Sequence, residues 1–282
     1  MADAISRRMA RKLWTIFFGH DSWVRQNEDF RTKERYGLVV RANYAYGMLR
    51  AADSAKYNGI ESVTVVELGV ASGGGLLNMI DCADLITKET GVRFRIVGFD
   101  TGAGLPSVEG VKDHPEIWNP GDFIMEDRTS LERKIAGKAE IIWGDIDNNI
   151  DSFVSSLAPE SPLGFVSVDV DLYSATKAGL RCFAGAPNKY LPAISVYCDD
   201  VSFFTANKWC GELAAIEEFN SEHEARKIDH DRSLILRPKK IETWYPAMYV
   251  CHILDHSSRQ RSRDRRSFAI GEHAEFISVA KV

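Results

Sequence analysis

The chain has 282 residues, 45% hydrophobic and 27% charged, with a formal net charge of −5. That length and apolar share suffice to bury a full core as one large α/β domain, and the negative balance argues against a general affinity for nucleic acid or membrane surfaces. Cys82, Cys182, Cys198, Cys210 and Cys251 are odd in number and lack C-x-x-C spacing, the pattern of reduced thiols in a cytoplasmic protein. The apolar stretch Leu13 to Phe18 behind a basic start is too short for a signal core, and no run approaches membrane-spanning length.

In chain order, apolar Ile5, Met9, Leu13, Ile16 and Phe17 predict a helix over Ser6 to Phe18. Tyr36, Leu38, Tyr44, Met48, Leu49 and Ala52 predict a second, over Tyr36 to Tyr57. Either can cap a cleft or pack as an outer helix. Strand and helix then alternate: strand Ser62 to Leu68, helix Gly75 to Thr90, strand Arg93 to Phe99, helix Ser130 to Gly137, strand Ala139 to Trp143, helix Asn148 to Leu157. The alternation continues with strand Gly164 to Val168, helix Ser174 to Ala186, strand Ala193 to Cys198 and helix Gly211 to Asn220. Ser233 to Arg237 and Ala247 to Leu254 read as two closing strands. Five βα units followed by two adjacent strands predict a doubly wound, Rossmann-like seven-stranded sheet whose last pair is antiparallel. Between Gly102 and Asp127 lies a long loop with three prolines, at a strand's carboxyl end, where function concentrates.

Four carboxylates end two of these strands: Asp169 and Asp171 after the fourth, Asp199 and Asp200 after the fifth. Ligands of parallel sheets bind outside the carboxyl ends of the strands. Acids gathered there repel one another and call for a cation, and a hard divalent metal with oxygen ligands is the simplest. The ordinary readings are that Asp171 caps the following helix and that Asp199 or Asp200 begins a turn.

Val65-Val66-Glu67-Leu68-Gly69-Val70-Ala71-Ser72-Gly73-Gly74-Gly75 runs from strand through glycines into helix, which lets a ligand approach main-chain N–H groups. The spacing is not the dinucleotide G-x-G-x-x-G. A carboxylate at Glu67 opposes pyrophosphate but attracts an ammonium or sulfonium. Asp100 ends the second strand, where an acid accepts from ribose hydroxyls, and Asp145 after Gly144 is placed to accept from an adenine amino group. The expected ligand is a nucleoside; the competing reading of Glu67 and Asp100 is capping or solvation.

Glu67-Leu-Gly69, Gly98-Phe-Asp100-Thr101-Gly-Ala-Gly-Leu105-Pro106, Asp169-Val-Asp171-Leu-Tyr173-Ser-Ala-Thr176 and Tyr197-Cys-Asp199-Asp200 resemble class I S-adenosylmethionine (SAM)-dependent O-methyltransferases of the macrocin O-methyltransferase type. The resemblance spans about Val63 to Val201. It implies a metal-dependent transfer of a methyl group from SAM to a hydroxyl of a sugar or other natural product. SAM would lie against Glu67, Gly69, Val70, Gly73, Gly75, Asp100, Thr101, Gly144 and Asp145. Mg²⁺ or Mn²⁺ would be held by Asp169, Asp199 and Asp200, with Asp171 as base; an exchange of roles between Asp169 and Asp171 stays open. Residues 1–60 would form a helical segment or lid, residues 61–282 the methyltransferase domain, with a small-molecule acceptor and, as a further option, a homo-oligomer.

Two other functions remain to be weighed. A non-catalytic nucleoside- or SAM-binding protein would have little need of all four acids. A nucleic-acid methyltransferase could use the basic run Ser257 to Arg266, but the acidic balance and the lack of an N/D-P-P-Y/F motif oppose it, and a solvated loop is the simpler reading. The histidines show no ligand spacing; His252 and His256 are four apart on a predicted strand and its exit, which disfavours zinc. Phe203, Phe204 and Trp209 can wall an acceptor pocket or belong to the core.

Overall fold

The structure is a computed structural model that describes residues 2–237 and 242–260. Seven strands form one sheet: β1 (Ser62–Leu68), β2 (Arg93–Asp100), β3 (Glu140–Trp143), β4 (Leu163–Val168), β5 (Tyr190–Cys198), β6 (Arg226–His230) and β7 (Met248–Ile253). Their order is β3-β2-β1-β4-β5-β7-β6. The first five are parallel, and β7 lies antiparallel between β5 and β6. The doubly wound sheet with an antiparallel last pair is borne out.

Helices cover both faces. α4 (Ala42–Tyr57), α5 (Gly74–Thr90) and α6 (Arg128–Ile135) close one core around Tyr44, Met48, Met79 and Phe165. On the other face α7 (Ile146–Ser156), α8 (Tyr173–Leu180) and α9 (Gly211–Glu222) close a second around Leu68, Phe99, Phe153 and Phe183. Side chains alternate across a strand, so Val63, Val65 and Glu67 of β1 face α4 while Val66 and Leu68 face α7 and α8. Ahead of this unit come α1 (Ala2–Phe18), α2 (His20–Asn27) and α3 (Phe30–Arg35). Among the described residues no helix is long and apolar enough to cross a membrane.

Most boundaries shift by a few residues, and three elements differ more from the sequence reading. The helix placed over Tyr36 to Tyr57 begins only at Ala42, because Gly37 (φ 63°) and Arg41 (φ 45°) take left-handed backbone, and the preceding turn is α3, capped by Asp29 on Thr32 N–H. The strand placed over Ser233 to Arg237 is a 3₁₀ turn, Arg232–Leu236, whose start is held by Asp231 accepting from Ser233 N–H. The true strand is Arg226–His230. Its charged residues hid it, but it is the sheet's outer edge, where charges are tolerated and block further pairing. The helix placed over Ser174 to Ala186 ends at Leu180 and tightens into a 3₁₀ turn at Arg181–Phe183.

A buried hydrogen-bond chain crosses the sheet one residue short of its carboxyl edge. Tyr44 donates its hydroxyl to Glu67 Oε1 at 2.8 Å and accepts from Ser167 Oγ at 2.8 Å, and Glu67 and Ser167 are register partners. Burial, only partly offset by the Tyr44 hydroxyl, pushes the Glu67 carboxyl up from 4.5 to about 8. Such a group keeps in the folded state a proton the unfolded chain has released. Its contribution to stability is therefore complete below about pH 4.5 and is lost as pH rises through about 8. Glu67→Gln has no proton to lose. Urea unfolding of both proteins at about pH 5 and about pH 9 should show the variant gaining at least about 1 kcal/mol on the wild type at the higher pH. An identical difference at both pH values would mean that Glu67 ionises alike in the folded and unfolded chains.

Candidate active site

The strand order reverses at β1 and β4, and the site lies at the carboxyl ends of these strands. The chain leaves β1 through Gly69, whose N–H donates to Phe99 O of β2 at 2.9 Å, while Leu68 O accepts from Asp169 N–H at 2.9 Å. Gly69 has φ 84°, and a Cβ there would lie 1.8 Å from Asp169 O. Only glycine permits that approach.

The loop after β1 is organised by Asp100. Its Oδ2 accepts from Val70 N–H and Ala71 N–H, both at 2.8 Å, and its Oδ1 accepts from Gly102 N–H at 2.6 Å. A carboxylate offers about four lone-pair positions, so one on Oδ1 is left for a ligand hydroxyl. Asp145 accepts from Asp147 N–H as the N-cap of α7, yet also faces the cavity.

A cavity of about 410 Å³ joins these elements to the acids. Gly69, Asp100, Thr101, Gly144 and Asp145 border one part; Asp169, Asp171, Asp199 and Asp200 border another. Of the other residues expected at the cofactor, Val70, Gly73 and Gly75 shape the loop instead of bordering the cavity. Gly73 begins α5 at φ 86°, and a Cβ on Gly75 would lie 1.7 Å from Glu67 Oε1. Glu67 points beneath the loop to Tyr44.

Asp171 does not cap α8, whose N-cap is Leu172 with no side-chain cap bond. It sits at φ 62°, a left-handed conformation uncommon outside glycine, and is 7% exposed. Asp171 and Asp200 are hydrogen-bonded to each other, and burial and neighbouring negative charge push both carboxyls up. Burial, then Asp199 and Asp200, raise Asp169 to about 7, with Arg41 as the opposing cation. Asp199 Oδ1 accepts from the Tyr197 hydroxyl, and Asp200 Oδ2 is buried without a partner. Beneath the pair lies Glu212, in the first turn of α9 and fully buried; its Oε2 accepts from Asp200 N–H at 3.2 Å.

The donor chemistry of this cluster, several carboxylates and an unpartnered buried oxygen, suits a hard divalent cation. Among the described residues, however, no three acidic, His or Cys side chains converge on one point as they stand. Asp199 is turned to Tyr197, and Asp200 to Asp171.

The aromatic wall differs from the one expected. Trp118 and Phe123, from the long loop after β2, border the cavity. Phe203 packs behind them, edge-on to Trp118 at 6.3 Å and to His114 at 5.2 Å, whereas Phe204 and Trp209 are exposed. No periodicity marked Trp118 or Phe123, and Glu212 reads as an ordinary helical acid. Its one sequence signal is a place in the first turn of the helix that follows the Asp199-Asp200 pair. Arg259 of the basic run is held by Ile253 O and Pro192 O at 2.8 and 3.0 Å; residues 261–266 lie outside the described residues.

No family model and no curated protein matches the sequence. Solved structures do. CalS11, described as a calicheamicin methyltransferase, is 18% identical with a TM-score of 0.50, covering 82% of this chain and 89% of its own. The O-methyltransferase NovP is 15% identical with a TM-score of 0.49, covering 75% and 79%. TomG from Streptomyces achromogenes, an O-methyltransferase solved with SAM, is 10% identical with a TM-score of 0.41, covering 78% and 86%. With the strand order and switch point above, the likeness to CalS11 establishes the architecture: the chain has the fold of class I SAM-dependent methyltransferases.

Proposed function

We propose that the protein transfers a methyl group from SAM to a hydroxyl of a small molecule, a sugar or another natural product. The observation that carries this reading is the single cavity bordered by the Gly69–Asp100–Asp145 surface and by Asp169, Asp171, Asp199 and Asp200. It offers a nucleoside subsite beside a set of proton acceptors. The calicheamicin methyltransferase and NovP, among the structures it resembles, support the same reaction class.

The chemistry needs a hydroxyl oxygen, a methyl carbon and a sulfonium held nearly in line. Gly69, Thr101 and Gly144 let the backbone close on the nucleoside, and Asp100 offers its remaining lone pair to a ribose hydroxyl. As the acceptor oxygen bonds to the methyl carbon, the carbon–sulfur bond breaks and its electron pair stays on sulfur. Asp171 takes the hydroxyl proton. Its raised pKa suits it to that work near neutral pH, where acceptor strength and ionised fraction are best balanced. Trp118 and Phe123 provide an apolar wall that keeps water from competing as acceptor. Asp169, Asp199 and Asp200 would hold Mg²⁺ or Mn²⁺, which when bound polarises the acceptor hydroxyl and lowers its pKa.

Calorimetry should detect binding of SAM or its demethylated product, S-adenosylhomocysteine (SAH). Asp100→Ala should weaken it by about 1–3 kcal/mol, through the lost hydrogen bond and the loosened loop. Tight binding of NADH in place of SAM would overturn the cofactor assignment.

Turnover in a screen of hydroxylated acceptors should disappear with EDTA and return with Mg²⁺. Full activity in chelator would remove the cation from the mechanism and leave the methyl transfer standing.

Asp171→Asn should lower the rate constant by about 10²–10⁴-fold while SAM and metal affinity hold, the loss usual for a removed general base. Asp169→Asn should lose metal along with rate. If Asp171→Asn is instead the variant that loses the ion, the two roles exchange; near-normal turnover in both would exclude either acid as base.

A further inference from the structure

The cavity of about 410 Å³ is small for what the reading above asks of it. Sites for one drug-sized ligand run from about 300 to 1,000 Å³, and this one has to take a nucleoside cofactor together with the reacting end of an acceptor. The rest of an extended acceptor must lie outside it. Two grooves open from its border. One, of about 490 Å³, leaves past Pro106, Asp145 and Ala175 and runs over α8. It departs from the nucleoside end, beside Asp145, and its cations are already engaged: Lys177 is paired with Glu218 and Glu222, and Arg181 with Asp147 and Asp151.

The other groove, of about 520 Å³, lies between the glycine loop and α6 and shares Ala71 and Phe123 with the cavity. It leaves on the side of the reacting acids, since Asp122, next to Phe123, is near enough for its charge to act on Asp171. Ile124, Met125 and Leu131 give it an apolar lining beside polar residues that include Ser130 and Lys134. Leu131 is fixed against the loop, where a Cβ on Gly73 would lie 2.4 Å from its Cδ1. Phe123 stands where cavity and groove meet. Its φ of 61° is an outlier for a bulky residue, and its ring lies 6.1 Å from that of Trp118. Phe123 is 55% exposed and Ile124 is 62% exposed, on a loop that buries Asp113 and Met125. Backbone held in a sparsely populated region beside two large apolar side chains in water points to a ligand surface.

We propose that the groove between the glycine loop and α6 is a second acceptor subsite, entered past Phe123, which takes an apolar ring or chain attached to the compound whose hydroxyl is methylated. The proposal rests on the methyl-transfer reading above. It makes Phe123 and Ile124 determinants of acceptor specificity. A compact hydroxyl compound fills the cavity alone, whereas one with an apolar extension gains from burial in the groove as well.

The test is a ligand-observed NMR titration of phenol and of para-phenylphenol, the same hydroxyl compound extended by one apolar ring, into the SAH-bound protein. Wild type, Ser130→Trp and Ile124→Asp are compared. Ser130→Trp fills the groove from α6, and Ile124→Asp places a charge on its lining. Neither residue borders the cavity, and the Asp127 cap of α6 uses the Ser130 main-chain N–H, so SAH affinity and Tm should hold. Wild type should bind para-phenylphenol about 10-fold or more tightly than phenol, the gain from burying the added ring. Both variants should lose about that factor for para-phenylphenol and keep the phenol affinity of the wild type. Equal binding of the two phenols by wild type would overturn the subsite and leave the methyl-transfer reading standing, as would wild-type affinity for para-phenylphenol in both variants. A wild-type protein that binds neither SAM nor SAH would overturn that reading and this inference together.

Discussion

Everything in the site hangs on the close contact between the ends of β1 and β4. Gly69 lies so near Asp169 that a Cβ would stand 1.8 Å from its carbonyl oxygen, and Leu68 O and Asp169 N–H close the sheet immediately beneath. One residue further back, Tyr44 bridges Glu67 and Ser167 across the same two strands. The glycine loop after β1 begins on one side of this junction and the acids on the other. Their separation is therefore set by the sheet, whose 4.7–4.9 Å strand spacing is among the least variable distances in proteins. A reaction that depends on in-line alignment benefits from a frame that does not drift.

That frame concentrates negative charge. Away from the strand ends, Asp53 takes both arms of Arg31, and Asp231 receives Tyr46 and lies 3.6 Å from Arg50. At the strand ends Asp169, Asp171, Asp200 and Glu212 all sit in surroundings that disfavour ionisation, and Arg41 is the cation that opposes it at Asp169. In such a cluster a proton shared between carboxyls and a bound cation are alternative ways of relieving repulsion. The Asp171–Asp200 hydrogen bond is the first of these. A cation would replace that shared proton, freeing Asp171 to act as an acceptor.

The sequence made the parallel core legible because its central strands read as largely apolar runs: β4 is buried at every position, and β1 at all but its first. The acids at their ends were legible for the same reason, as charges that interrupt such runs at the carboxyl side. What stayed hidden depends on tertiary context. β6 carries Arg226, Lys227 and Asp229 and resembles a loop until its position at the sheet edge is known. Glu67 reads as a residue of the ligand loop, yet strand parity turns it toward Tyr44. Glu212 lies in a helix where acids are ordinary, and only its zero exposure beneath Asp200 distinguishes it. Trp118 and Phe123 come from an aperiodic loop, where no pattern indicates which way a side chain faces.

That loop is nevertheless built as a fixed wall. Gly104 passes so close to Gly121 and Asp122 that a Cβ would lie 2.5 Å from Asp122 O, and Leu105 exchanges backbone bonds of 2.8 Å with Asp122 O and Gly121 N–H. Asp113, with no exposed surface, accepts from Glu109 N–H, Ser174 N–H and Ser174 Oγ, and so pins the loop to the start of α8. Asp171 stands two residues before α8. Trp118 and Phe123 of this loop, and Asp171, are thus anchored to the same helix end. A ligand that docks against such a preorganised surface leaves little ordering to be done on binding.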